Sequence, residues 1–181
     1  VIKILINEKT QKIFWFLWKN KKEPYTIRET AQKTGVSYGS TWSILKEFEE
    51  LQIVYGIEKK KAYLYVLNFE NPLCFHVWSL LNALKRENID IDASLKEKIG
   101  QIKEGFAVHY AINGVSKIIC CSEKRFKNVE SMNFEDFKNF LHKKKGLYNI
   151  LWNNGIILVG EKKFFDFMWK IAEKRVIGVG T

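Results

Sequence analysis

Apolar positions recur along the first third of the chain at helical spacing and then at strand spacing. Ile13, Phe14, Leu17 and Trp18 share one face of a helix expected over Glu8 to Trp18. The stretch from Asn20 to Pro24 breaks it, because Pro24 cannot continue a helix and Lys21 and Lys22 solvate its end. Thr26 reads as an N-cap, with Glu29 three residues on as its capping-box partner. Ile27, Thr30 and Ala31 then face inward, and Gly35 supplies the left-handed residue that ends this second helix. Ser37 caps a third helix running to about Gln52, whose inner face is Thr41, Leu45, Phe48 and Leu51. Next the period falls to two. Ile53 to Ile57 and Ala62 to Leu67 predict strands, the second alternating Tyr63, Tyr65 and Leu67 against Leu64 and Val66, with Glu58-Lys59-Lys60-Lys61 as the tip between them.

Asn68 to Pro72 marks a boundary, and Pro72 suits the first turn of a helix. That helix carries Phe75, Val77, Trp78, Leu80, Leu81 and Leu84 and is apolar on most sides, as expected of a segment packed between two halves or against a second copy. A weaker helical pattern follows through Leu95, Ile99 and Ile102. From Gly105 the pattern is that of strands: Phe106 to Ile112 and Val115 to Cys121 flank Asn113-Gly114, the strongest short hairpin signal. A third strand is expected near Val129 to Met132, then helices capped by Asn133 and covering Leu147 to Trp152, a strand at Ile156 to Val159, and a closing helix over Glu161 to Lys174. The expected class is α+β: residues 1–71 as one domain, 72–104 as a helical linker or dimerisation region, and 105–181 as an α+β domain with a mixed or antiparallel sheet.

The chain has 181 residues, 46% of them hydrophobic, enough to bury a core. Its net charge of +10 and pI near 9.4 favour a polyanionic partner. No apolar run reaches the ~18 residues that span a bilayer, and the Val1–Ile6 run is short and interrupted by Lys3, so a cytoplasmic protein without a membrane partner is expected. Cys74, Cys120 and Cys121 do not form a disulfide framework, and with His76, His109 and His142 they give no zinc spacing. No nucleophile elbow, phosphate-binding glycine loop or redox cysteine pair is present, and adjacent Glu135 and Asp136 point to different helix faces. The expectation is therefore of no catalytic residue, no metal and no cofactor. Lys143-Lys144-Lys145 reads as a solvated loop, with a second phosphate contact as the alternative.

Helix, turn, helix, strand, basic loop, strand, over Tyr25 to Leu67, resembles the winged helix-turn-helix domain of bacterial and archaeal regulators. The resemblance rests on Gly35-Val36-Ser37, Ser40, Leu45, Phe48 and Ile53-Val54; Gln52 stands where the family usually has glycine. It implies that Ser37, Tyr38, Gly39, Ser40, Trp42, Ser43 and Lys46 face the major groove of double-stranded DNA, and that Lys59, Lys60 and Lys61 meet phosphates. The face has no arginine for bidentate guanine contacts; Trp42 and Tyr38 suit thymine methyls or sugars, which implies modest, A·T-leaning preference. A core or dimer-contact role for Trp42 is the alternative. Such regulators often dimerise through a helix after the wing, so the resemblance also implies a possible homodimer.

Residues 105 to 165 are similar to small archaeal nucleotidyltransferase-like domains, on Glu135-Asp136-Phe137 and on the run from Leu151 to Glu161. Such enzymes hold magnesium on two strand carboxylates after a Gly-Ser turn. The matching strand here, Ser116-Lys117-Ile118-Ile119-Cys120-Cys121, has no carboxylate, and its turn is Asn113-Gly114-Val115. The expectation is a DNA-binding transcriptional regulator that is not an enzyme. The alternatives are a nucleotidyltransferase-like enzyme, or a protein-interaction module of a transcription or toxin–antitoxin complex.

Overall fold

A computed structural model describes residues 7–21, 23–59, 61–123, 125–126, 129–144 and 146–177, with backbone alone over 172–177. Lys60, Lys145, Lys22 and the Val1–Ile6 run lie outside the described residues. The chain is α+β and divides into two compact units, Val1–Leu81 and Asn82–Thr181. The division falls within a helix, after Leu81, whereas the sequence pattern put it at residue 71 and set 72–104 apart.

In the first unit, α1 (Glu8–Lys19), β1 (Tyr25–Thr26), α2 (Ile27–Thr34) and α3 (Tyr38–Glu50) lead into a hairpin of β2 (Val54–Lys59) and β3 (Ala62–Leu67). The order is thus helix, short strand, helix, helix and a two-stranded hairpin. The capping box of α2 is reciprocal: Glu29 N–H donates to Thr26 Oγ1 (3.1 Å) and Thr26 N–H to Glu29 Oε2 (2.8 Å). Gly35 ends α2 in the left-handed region, at φ 69°. Ile13, Phe14, Leu17 and Trp18 of α1 and Leu45 and Phe48 of α3 are all buried, with Phe14 edge-on to Phe48 at 6.3 Å. Trp78, early in α4 (Pro72–Arg86), stacks on Trp18 at 5.3 Å. The sheet order is β1-β3-β2, all antiparallel; the two-residue β1 had no legible signal of its own.

Gln52 adopts the left-handed conformation that favours glycine, φ 56°. The turn is held from outside: Asn68 and Asn71 side-chain amides donate to the Gln52 carbonyl (2.9 and 3.0 Å), and Asn71 also to that of Leu51 (3.1 Å). These bonds offset the strain of a non-glycine residue in that region.

The second unit holds α5 (Ala93–Gly100), β4 (Gly105–Ile112), β5 (Val115–Ser122), β6 (Glu130–Met132), α6 (Phe134–Lys143), α7 (Leu147–Asn154), β7 (Ile156–Val159) and α8 (Glu161–Ile177). Its mixed sheet runs β6-β5-β4-β7, with β5 and β6 parallel and the other pairs antiparallel. Asn113 and Gly114 close β4–β5 with positive φ at both positions, 52° and 76°, as a type I′ turn requires. One face of the sheet puts Phe106 edge-on to Phe137 and Phe164 at 5.4 and 5.3 Å. The other buries Ala107 and Cys120 with Ile99 and Ile102. The edge strand β7 is closed by a side chain: buried Asn82 donates to the Ile157 carbonyl and accepts from its N–H, both at 3.0 Å. Such pairing removes open backbone groups that invite another strand. Among the described residues no helix is long and apolar enough to cross a membrane.

Candidate nucleic-acid interface

Helix α3 is amphipathic because Thr41, Ile44, Leu45 and Phe48 fall on its inner face, where all four are buried. The opposite face is thereby turned outward. Tyr38 and Trp42 are 59% and 49% exposed, and Gly39 and Ser43 are exposed beside them. Trp42 is therefore no core residue of this unit. Ser37 is exposed, and at the N-cap it makes no side-chain bond to the helix backbone. Ser37 is the N-cap residue, as its place in the sequence suggests, but through its backbone: its carbonyl accepts from the Thr41 N–H (2.9 Å), while its hydroxyl donates to Ser40 Oγ (2.9 Å). Ser40 is half-buried and also accepts from Lys9 Nζ of α1 (3.3 Å). Lys9 thus stands at the start of the outward face, a cation that no local pattern marked.

Lys46 differs most from its sequence role. Its ammonium donates to Glu49 Oε2 (2.8 Å) and lies 5.0 Å from the centroid of the Tyr63 ring of β3. The Tyr63 hydroxyl donates to Glu49 Oε1, which fastens the hairpin to α3. Burial works to raise the Glu49 carboxyl, but the bonds from Lys46 and Tyr63 outweigh it and hold the group below its ordinary value. The same Glu49 bond raises Lys46, and it raises Tyr63. Gly56 makes room for this pairing, since a Cβ there would stand 2.1 Å from the Tyr63 hydroxyl oxygen and 2.2 Å from Glu49 Oε1. Sequence reading missed Glu49, Gly56 and Tyr63 because their roles arise from proximity across elements.

The register pairs Lys59 with Ala62, so Lys60 and Lys61 join the two strands. Lys59 and Lys61 are exposed. Of the ten residues expected at the interface, Tyr38, Gly39, Trp42 and Ser43 share one exposed helix face, Ser37 and Ser40 sit at its start, and Lys46 is tied to the hairpin. Chemically the helix face offers aromatic surface and hydroxyls, and the hairpin tip offers positive charge. Among the described residues no three His, Cys, Asp or Glu side chains gather as a metal site would need.

No family model matches the chain, and no curated protein matches it. Among solved structures the chain is similar to AF1382 from Archaeoglobus fulgidus, known from a high-resolution crystal structure. The identity is 20% and the TM-score 0.41, over 49% of this chain and 98% of that one.

Proposed function

We propose that the first unit binds double-stranded DNA and that the protein is a transcriptional regulator working in the cytoplasm. Helix α3 enters the major groove with Tyr38, Gly39, Trp42 and Ser43, and Lys59, Lys60 and Lys61 contact phosphates beside it. The observation that carries this reading is the pairing of an outward helix face with an exposed lysine tip in one unit, joined through Glu49 and Tyr63. Lys46, held by Glu49, orients the hairpin rather than reading a base. Base preference then rests on aromatic and hydroxyl contacts, which favour thymine methyls. The reading is of a binding protein rather than an enzyme, since β5 offers no carboxylate pair for metal-assisted phosphoryl transfer. A homodimer through α4 is part of the proposal, on the strength of exposed Leu80 and Leu84.

The test is fluorescence anisotropy with random and A·T-rich duplexes at two salt concentrations. Phosphate contacts predict a steep loss of affinity with salt, about 0.9 in the log–log slope per contact. A salt-independent signal, or none, overturns the reading. A second reading is supported by the exposed apolar side chains of the hairpin, Tyr55, Ile57 and Tyr63, with Tyr38 and Trp42: this unit docks a protein. Loss of DNA binding on neutralising the tip lysines favours the first.

A further inference from the structure

The second unit contains a hollow of about 290 Å³ lined by Tyr110, Ile112, Lys117, Lys144, Leu147 and Ile150. Among the described residues its charged lining is cationic, Lys117 and Lys144. Tyr110 and Lys117 stand directly opposite each other in the β4–β5 register. Lys144 follows α6 and holds its ammonium 4.3 Å from the centroid of the Phe140 ring. Leu147 opens α7, whose N-cap is Gly146 in the left-handed region (φ 92°), and no side chain caps that end. The Leu147 N–H already donates to the Lys144 carbonyl (3.1 Å), and the partial positive charge and remaining N–H groups of the first turn suit an anion.

Tyr110 points to a ligand independently. It is 3% exposed, it lines the hollow, and its hydroxyl has no hydrogen-bond partner among the described residues. The ring is buried while its hydroxyl opens on the hollow, where it is free to donate to a bound acceptor. Burial, with the charge of Glu130 acting the same way, raises the Tyr110 pKa, so the group keeps its proton and donates.

We propose that this hollow binds the phosphoryl group of a small phosphomonoester, with Lys117 and Lys144 as countercharges and the Tyr110 hydroxyl and the start of α7 as donors. The volume lies at the small end of ligand pockets, roughly 300–1,000 Å³, so it suits a phosphate with a short substituent better than a dinucleotide. The site is independent of DNA binding by the first unit.

The test is calorimetric titration of the full chain, in phosphate-free buffer, with inorganic phosphate, ribose 5-phosphate and a short DNA duplex. Saturable binding of the first two is expected, weakened about tenfold by Lys117→Gln or Lys144→Gln, as loss of a charge-assisted bond implies. Tyr110→Phe keeps the ring and the packing and should weaken both about fivefold, the loss of one hydrogen bond to a charged group. Thermal melting of each variant in the absence of ligand confirms that the fold is kept. Absence of saturable phosphate binding overturns the proposal, as does binding unchanged in all three folded variants. If the variants lose affinity for the duplex while the wild-type chain takes up neither phosphate nor ribose 5-phosphate, the hollow is a backbone contact and the small-ligand proposal falls.

Discussion

In the β2–β3 hairpin, Tyr55, Ile57 and Tyr63 are 45%, 40% and 42% exposed; in the β4–β5 hairpin, Phe106, Val108, Ile119 and Cys121 are all 0% exposed. Both are antiparallel pairs closed by two residues, and both are rich in β-branched and aromatic side chains. The difference lies in what surrounds them. The strands β4 and β5 have neighbours on both sides in their sheet and helices over a face, whereas β2 is an edge strand with its outer face open. Apolar surface left in water contributes little to stability, so on the first hairpin it is available for binding, while on the second it forms the core.

The sharpest test of that contrast is Phe106→Ala, which should cost about 3–5 kcal/mol in denaturant unfolding because four other phenylalanines lose their shared partner. An effect under 1 kcal/mol would erase the distinction. Next, Asn82→Ala leaves the Ile157 N–H and carbonyl unpaired and should cost about 2–3 kcal/mol, with amide exchange at Ile157 accelerated. On the exposed hairpin the signs separate. Lys59→Gln with Lys61→Gln should lower duplex affinity about tenfold at low salt and the salt slope by roughly 1.8, while unfolding stays within about 0.5 kcal/mol of wild type. At the entry to the wing, Gln52→Gly should stabilise by about 1 kcal/mol, because glycine adopts the left-handed conformation without strain. The smallest effect concerns the tether. With its pKa depressed, Glu49 is charged and bonded above the ordinary carboxylate value, and the interaction is lost as pH falls through its lower folded value. The Tyr63 ring resonances should therefore move in that acidic window in the wild type and stay fixed in Glu49→Gln.

Much of the fold was legible because its signals are local. The capping box at Thr26, the turn at Gly35, the Asn113-Gly114 hairpin and the strand Ile156–Val159 all appear where residue type demands them. Spacing also placed Thr41, Leu45 and Phe48 inside α3, and so turned Trp42 outward. Helix ends were read less well: α3 stops at Glu50, not Gln52, since the Ile53 N–H returns to the Phe48 carbonyl at 2.7 Å. At the candidate interface, pattern could name exposed residues but not their partners. Spacing put Lys46 on the groove-facing side of the helix, and only the approach of Tyr63 from β3 to Glu49 showed it tied to the hairpin.

By itself, then, the order of residues determined the elements, the α+β class and the concentration of lysine at one hairpin tip, because each depends on neighbours a few positions away. Tertiary structure alone decided that α4 serves two units, that Asn82 seals β7 from 75 positions away, and that Tyr110, Lys117 and Lys144 border one hollow. Those outcomes turn on contacts between segments distant in sequence, and no local periodicity records which distant group a side chain will meet.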